Sequence, residues 1–204
     1  MHGGDSRLSR MRGTLLRESA ILAHMAAELD GSVTRAVDLL LHTGGRILIG
    51  GAGTSHAVAA RFAHLLCCSG LPAFFIHPAD ALHGGSGAVC PEDTVLLISK
   101  GGSTAEVNQF AALVRKRGAG LIAMTEAPAS ELGRLASAVI RVQVPSDSDP
   151  FGMVATSSSL ANAAVADAIC ETILCERDYT IAEFASTHPG GAVGQRIRRE
   201  GVAG

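Results

Sequence analysis

The chain has 204 residues, 47% of them hydrophobic and 18% charged, and it carries a formal net charge of -2. This composition excludes a disordered chain and predicts one sizeable globular domain. The nearly balanced charge argues against a general nucleic-acid or membrane-surface binder, so we expect neither nucleic acid nor a membrane among its partners.

The N-terminal part of the chain shows helical periodicity of apolar residues over residues 5–42. Asp30-Gly31-Ser32 interrupts this pattern, and Ser32 is a candidate cap for a second helix. The first residues, "MHGGDSRLSRMRG", contain no apolar core of signal-peptide length. No later apolar run of about 18 residues suggests a membrane span, so we expect a cytoplasmic protein.

From residue 46 onward, short apolar runs alternate with helical segments. Predicted strands cover residues 46–51, 73–77, 94–99, 120–125 and 138–144, and predicted helices cover 55–70, 105–118, 129–136 and 157–174. Continuously apolar strands alternating with helices are typical of a parallel sheet covered on both faces. The pattern predicts an α/β fold with a doubly wound, mostly parallel five-stranded sheet in three layers. We expect a helical arm over 1–43, a main domain over 44–197 and a tail over 198–204.

The five cysteines form no CxxC pair, which disfavours zinc ribbons and thioredoxin-type redox sites. Buried, reduced thiols are the simplest interpretation. The residues concerned are Cys67, Cys68, Cys90, Cys170 and Cys175.

The loop "SKGGSTAE" after the third predicted strand has the chemistry of a phosphate site. In such sheets, ligands bind at the carboxyl ends of strands, beside helix N-termini. The Gly101-Gly102 pair lets the backbone approach a ligand, and Ser99, Ser103 and Thr104 add hydroxyl groups. The alternative is an ordinary turn in which Ser103 caps the helix and Glu106 bonds back in a capping box.

Two further strand-to-helix turns are also rich in hydroxyl groups. "GGAGTSH" contains Gly53, Thr54 and Ser55, but it has neither the Lys-Ser/Thr ending of a P-loop nor a complete GxGxxG, so nucleotide binding is not favoured. "TSSS" opens the last long predicted helix with Thr156 and Ser157. The three turns together predict one polar cradle for a phosphorylated small molecule.

The pattern "GAGTS…SKGGST" resembles the SIS (sugar isomerase) domain over residues 45–197. The stretches "FFIHPADALHGGSGAVCPED", "DPFGMVATSSSLANAAVADAI" and "FASTHPGGAVG" are especially similar to arabinose-5-phosphate isomerases. The resemblance implies a flavodoxin-like fold and interconversion of arabinose 5-phosphate and ribulose 5-phosphate through an enediol, with no cofactor. It also implies a homo-tetramer or dimer with active sites at subunit interfaces. Many relatives append CBS domains, and we expect this chain to be the short form without them.

An aldose–ketose isomerase needs a phosphate anchor, a base near two adjacent carbons and an acid/base for their oxygens. The resemblance assigns the last role to His188, in "STHPGG". His77 and His83 match histidines that contact substrate, or an adventitious zinc, although either could instead tie a loop together. Asp147 and Glu106 are candidate bases, and Asp147 could alternatively form a turn in "SDSDP". We expect no required metal.

The sequence also departs from the family at charged positions. Thr54 stands where such isomerases carry Lys, Ser103 where they carry Glu, and Gly101 where they carry Ser. Asp147 shortens a family Glu by one methylene. His56, beside Ser55, has no family counterpart. These departures leave two alternatives open: an isomerase of a different pentose or hexose phosphate, and a non-catalytic phosphosugar sensor.

Overall fold

The structure is a computed structural model, and it describes residues 3–145, 149 and 151–200. A 3₁₀ turn covers Gly85–Ala88. The helices and strands, in chain order, are α1 (Gly3–Glu28), α2 (Gly31–Leu41), β1 (Ile47–Gly51), α3 (Thr54–Cys68), β2 (Ala73–Phe75), α4 (Pro78–Leu82), β3 (Thr94–Ile98), α5 (Ala105–Lys116), β4 (Gly120–Thr125), α6 (Glu131–Leu135), β5 (Ala138–Arg141), α7 (Thr156–Glu176), α8 (Ile181–Thr187) and α9 (Gly191–Arg199).

The five strands form one parallel sheet in the order β2-β1-β3-β4-β5. Successive side chains of a strand point to opposite faces, so Ile47 and Ile49 enter one core and Leu48 the other. The first core is covered by α1, α2, α3 and α7, and the second by α4, α5 and α6. The predicted doubly wound, three-layer α/β fold is confirmed.

Glycine at the end of β1 allows the next helix to begin directly against the sheet. A Cβ on Gly51 would lie 2.8 Å from the carbonyl oxygen of Ser55, in the first turn of α3. A Cβ on Gly50 would lie 2.8 Å from Cδ2 of Leu97 and 3.0 Å from the carbonyl oxygen of Ile76. A side chain at Gly51 would therefore push α3 away from the strand end, and one at Gly50 would collide with Leu97 and with the backbone at Ile76.

The two N-terminal helices pack on the α7 side of the sheet. Ile21 and Met25 of α1 are buried in the first core. Asp30, not Ser32, caps α2, because the Asp30 carboxylate accepts the Ser32 backbone N–H at 2.8 Å. The expectation that Ser32 is the cap is wrong, since an ionised carboxylate two residues earlier takes the free amide.

Several predicted boundaries differ from the structure. The sequence predicts a strand over 73–77, but β2 ends at Phe75 because His77 turns to cap α4. The fifth strand ends at Arg141 rather than 144, although Val142 and Val144 remain buried. The sequence analysis also does not predict α4, α8 or α9, although Thr180 and Glu183 have the spacing of the capping box that begins α8.

The cysteines are free, but most of them are not buried. Cys67, Cys90 and Cys175 are exposed and Cys68 is half-buried, so the expectation of buried thiols is wrong for these four. Cys170 is buried, and desolvation raises the pKa of its thiol to about 12.

Helix α7 is a long core helix. By length and composition alone it is apolar enough to cross a membrane, the one such helix among the residues that the structure describes. It packs against α1, α2 and α3 in the first core. Its buried residues are Ser157, Ser158, Ala161, Asn162, Val165, Ala166, Ile169, Cys170 and Ile173.

Candidate functional site

The strand order indicates a crevice where the chain leaves the neighbouring strands β1 and β3. Gly51 pairs with Ile98, so both strands end at the same level of the sheet. The helix after β1 packs on one face and the helix after β3 on the other. Such a topological switch point is where open α/β sheets bind ligands. The loops at 52–55 and 99–104 therefore flank one crevice.

The N-terminus of α7 lies at the same edge, because α7 runs parallel to α3. Arg61 Nη2 donates to Asp167 Oδ2 at 3.0 Å midway along the two helices. Beyond their C-terminal ends, Arg177 Nη2 donates to the Gly70 carbonyl at 3.4 Å. Thr156 and the buried Ser157 therefore begin α7 near the first turn of α3.

The turn over 99–104 is fixed from several sides. The hydroxyl oxygens of the buried Ser99 and of Thr104 lie 3.2 Å apart. The Gly102 N–H donates to the Ser99 carbonyl at 3.1 Å, and Gly102 has a φ of 62°. The Gly102 carbonyl accepts from Asn108 Nδ2 at 3.2 Å and from the Leu132 N–H at 3.3 Å. This turn is therefore held in place without a ligand.

The capping-box interpretation of this turn is wrong. Ser103 Oγ donates to the Gly101 carbonyl at 3.2 Å instead of capping α5. Thr104 is the N-cap residue and accepts no side-chain cap bond, and Glu106 is exposed in the first turn. The S-x-x-E pattern is present, but the helix begins one residue later than a capping box requires.

The helices that begin around this crevice lack side-chain caps. The N-cap residues Gly53, Thr104 and Ala155 of α3, α5 and α7 make no side-chain cap bond. By contrast α4 and α6, which begin on either side, are capped by His77 and Ser130. Uncapped N–H groups and the positive ends of helix dipoles favour an anion.

Two glycines present bare backbone to open space in the crevice. A Cβ added to Gly53 or to Gly101 would find no atom within 4 Å, and Gly53 has a φ of 59°. A ligand can therefore approach the main chain of both loops. The hydroxyl-bearing Thr54 and Ser103 beside them are exposed.

Two histidines form a pair at the rim. The rings of His56 and His77 have centroids 5.3 Å apart, and His56 also packs on Phe75 at 4.5 Å. Nδ1 of His77 accepts the Ala79 N–H at 3.2 Å, so a neutral His77 carries its hydrogen on Nε2. A protonated Nε2 is a hydrogen-bond donor and not a metal ligand. Within the described part of the chain no three His, Cys, Asp or Glu side chains form a metal-binding group.

His83 and Asp147 are not placed in the crevice by the described residues. His83 is exposed at the end of α4, where its N–H donates to the Ala79 carbonyl at 3.2 Å. Helix α4 packs against α5. Asp147 lies outside the described residues.

His188 lies far from the crevice of its own chain. Its Nε2 is 3.4 Å from Sγ of Cys68, at the C-terminal end of α3. Thr54 begins the same helix, so about 21 Å separates Cys68 from the crevice at a rise of about 1.5 Å per residue. The structure therefore does not bring His188 together with the other candidate residues within one chain.

Sequence reasoning missed Lys100, which lies inside the turn between Ser99 and Gly101. It is the one Lys or Arg in the three loops. The whole chain has only one other lysine, Lys116. Its carbonyl is fixed by Thr125 Oγ1 at 2.8 Å, and Lys100 itself is half-buried. Among the described residues it forms no ion pair with a carboxylate. The rarity of lysine in this sequence was the signal that could have singled it out.

Comparison with known proteins identifies the family. Residues 40–171, more than half of the chain, match the SIS domain family. The chain belongs to the SIS domain family. This confirms the resemblance seen in the sequence, and it fits the parallel sheet and the crevice at its carboxyl edge.

Other SIS domain proteins resemble this chain over most of its length. It is 33% identical to the arabinose 5-phosphate isomerase GutQ of Salmonella typhi over 193 residues, 95% of this chain and 60% of that protein. This SIS domain chain thus spans about 60% of the length of that curated relative. A Listeria monocytogenes protein assigned as a sugar-phosphate isomerase superposes with a TM-score of 0.89 at 31% identity, covering 93% of this chain and 100% of that one.

An Escherichia coli CFT073 protein solved in complex with arabinose 5-phosphate superposes with a TM-score of 0.88 at 26% identity. The match covers 92% of this chain and 100% of that one.

Proposed function

We propose that this SIS domain protein is a phosphosugar aldose–ketose isomerase that interconverts arabinose 5-phosphate and ribulose 5-phosphate without an organic cofactor. The observation that carries the proposal is the meeting of three uncapped helix N-termini, those of α3, α5 and α7, at the β1/β3 switch point. Relatives named arabinose 5-phosphate isomerases and a similar structure that holds arabinose 5-phosphate support the choice of sugar.

The phosphate would bind at the 99–104 turn. Bare backbone at Gly101, the hydroxyl groups of Ser99 and Thr104, and the Lys100 ammonium supply donors and charge for a dianion. Gly102 and Ser103 of the same turn are further proposed partners. Those from the other loops are Gly53, Thr54, Ser55, His77, Thr156 and Ser157. Anchoring the phosphate at one end fixes the position of the sugar carbons in the crevice, which lowers the entropic part of the barrier.

The proton transfers would need groups beyond the phosphate turn. His188 is the proposed acid/base for the sugar oxygens, because an imidazole can accept a proton on one nitrogen and donate one from it again. Asp147 or Glu106 would move the proton between the two carbons, and His83 would contact the sugar. No resident metal is part of this proposal.

We further propose that the site is completed by a second copy of the chain, in a dimer or tetramer. Two observations support this: the separation of about 21 Å between His188's position and its own crevice, and the exposed apolar surface of α1. Leu15 and Leu16 of α1 are 67% and 73% exposed. The cytoplasmic location and the division into residues 1–43, 44–197 and 198–204 remain parts of the proposal.

The test is a coupled assay over a panel of pentose and hexose phosphates, with His188→Ala beside the wild type. We expect turnover of arabinose 5-phosphate, and a loss of about 100-fold or more in kcat for His188→Ala. Turnover of a different sugar phosphate would contradict the proposed substrate but would still support aldose–ketose isomerisation as the reaction. Unchanged turnover in His188→Ala would contradict the role given to that residue.

A non-catalytic phosphosugar sensor is the second candidate, favoured by one observation. Thr54 and Ser103 replace charged family residues, and Ser103 Oγ bonds to its own turn. Binding of several sugar phosphates without turnover of any would favour the sensor over the isomerase.

Mixed oligomers test the shared site. His188→Ala and Gly101→Asp, which places a carboxylate where the phosphate would bind, are each expected to be inactive. If one site uses both subunits, co-refolding the two variants restores up to about a quarter of wild-type turnover, since half of the dimers are mixed and one of their two sites is intact. Sites built from a single chain would give no recovery.

A further inference from the structure

We propose that Cys68 is a positioning residue for His188, holding its imidazole by donating the thiol hydrogen to Nε2. This rests on the proposed function of His188 as the acid/base of the isomerase. The contact joins residues 120 positions apart in sequence, from the last turn of α3 to the loop after α8.

The opposite ring nitrogen identifies the tautomer. His188 Nδ1 lies 3.0 Å from the Phe184 carbonyl oxygen. A carbonyl oxygen only accepts, so Nδ1 must carry the hydrogen and donate it. Thr187 Oγ1, 2.9 Å from the same nitrogen, donates its own hydrogen to that carbonyl at 3.0 Å. In a neutral imidazole this leaves the lone pair on Nε2, which is therefore the nitrogen that could take a proton from a sugar hydroxyl.

Cys68 is the group that faces this lone pair. Its Sγ lies 3.4 Å from His188 Nε2 and 3.7 Å from His64 Nε2. Burial raises the pKa of the Cys68 thiol, and the neighbouring Cys67 adds to the effect, so the sulfur keeps its hydrogen near neutral pH. A protonated thiol between two imidazoles donates to one of them, and His188 Nε2 is the nearer.

The ring face is held as well. Phe184 stacks on the His188 ring with centroids 3.8 Å apart and planes 13° from parallel. Together the Phe184 ring, the Phe184 carbonyl and Cys68 fix the imidazole at its face and at both nitrogens. Because a thiol is a weak donor, a substrate hydroxyl can take its place on Nε2 at little cost. The arrangement orients the base without blocking it.

The test compares Cys68→Ala and Cys68→Ser with Cys67→Ala. Cys67 is the matched control, because it is on the same helix and its thiol donates at 2.9 Å to the Ala73 carbonyl, not to His188. The full chain is labelled with ¹⁵N-histidine, and the His188 resonances are assigned by their absence in His188→Ala. Steady-state kinetics with arabinose 5-phosphate follow for each variant.

We expect Cys68→Ala to move the His188 Nε2 resonance toward that of an unbonded pyridine-type nitrogen and to lower kcat/KM about three- to tenfold, the size of the one hydrogen bond that orients the imidazole in the free enzyme. Cys68→Ser should keep the Nε2 resonance close to that of the wild type and restore kcat/KM, and Cys67→Ala should change neither.

An Nε2 resonance that is the same in Cys68→Ala and the wild type would overturn the inference. So would an equal effect from Cys67→Ala. If the wild type turns over no sugar phosphate, the proposed function fails, and the resonance alone still decides whether Cys68 holds His188.

Discussion

Gly102→Ala is expected to destabilise the chain through the turn at the centre of the proposed phosphate site. Gly102 has a φ of 62°, a conformation that costs an L-residue about 1–2 kcal/mol. The added Cβ would also collide with Oγ of Ser130 and lie 2.6 Å from its Cβ. Ser130 caps α6 by accepting the Gly133 N–H at 3.2 Å, and loss of such a cap costs about 1 kcal/mol.

These terms together predict a loss of about 2–3 kcal/mol in the free energy of unfolding. For a chain of this length that corresponds to a fall of about 4–12 °C in Tm. Urea and thermal unfolding followed by circular dichroism measure the loss. In Gly102→Ala/Ser130→Gly the collision is removed, and glycine at an N-cap costs only a few tenths of a kcal/mol, so we expect about 1 kcal/mol to be recovered.

Gly101→Ala is the matched control, one residue away. Its Cβ would meet nothing within 4 Å, so the free energy of unfolding should change by less than about 0.5 kcal/mol. The methyl group would nevertheless stand between the backbone and the ligand. We expect it to displace the phosphate and to weaken binding of arabinose 5-phosphate about tenfold or more. Wild-type stability in Gly102→Ala would refute the geometry of the turn, and wild-type affinity in Gly101→Ala would refute the position of the phosphate.

Two further predictions concern charge. Lys100→Met is expected to weaken binding of inorganic phosphate about tenfold by calorimetry, whereas Lys116→Met, in the last turn of α5, should not; equal affinities would remove Lys100 from the site. Burial would raise the pKa of Asp93, but the backbone N–H groups of Arg46 and Cys90 and the Arg46 guanidinium outweigh it and hold that pKa below its ordinary value. The ionised carboxylate therefore stabilises the fold above about pH 4, and this contribution is lost as the pH falls through the lowered pKa. Urea unfolding between about pH 6 and 2 should show a steeper loss of stability in the wild type than in Asp93→Asn, and parallel curves would contradict it.

The sheet was predictable because its strands are short, mostly apolar runs. β1, β3 and β4 match the predicted ranges within one residue at each end, since the interior positions of strands buried on both faces are apolar and the polar Thr94 and Thr125 lie only at strand ends. β2 and β5 were predicted too long because Ile76, Val142 and Val144 continue the apolar run after the last paired residues of each strand. The Ile76 and Val142 N–H groups still donate to the carbonyls of Ile49 and Thr125, so apolar composition alone does not show where a strand ends.

The site was predictable in part. The rule that ligands bind at strand carboxyl ends selected three loops, and the parallel course of α3 and α7 places the third beside the first. The contact between Cys68 and His188 was not predictable, because it depends on how α8 returns to α3, and α8 buries no residue that would fix its position. The prediction of a capping box at Ser103 was wrong for a different reason. The Ser-x-x-Glu sequence is present, but the backbone geometry makes Thr104 the N-cap residue.

The pattern of helix caps separates the helices that begin at the proposed binding site from the other helices that begin at the same edge of the sheet. At the same edge of the sheet, α4 and α6 use His77 and Ser130 as caps, and their N-terminal amides are satisfied within the chain. The three helices around the crevice forgo this stabilisation, worth about 1 kcal/mol for each helix. The loss is tolerable because α3, α5 and α7 are held by the two large cores rather than by their ends. An anion bound there would supply hydrogen bonds that no N-cap side chain of these helices provides, so in the proposed function the phosphate serves as an N-cap for them.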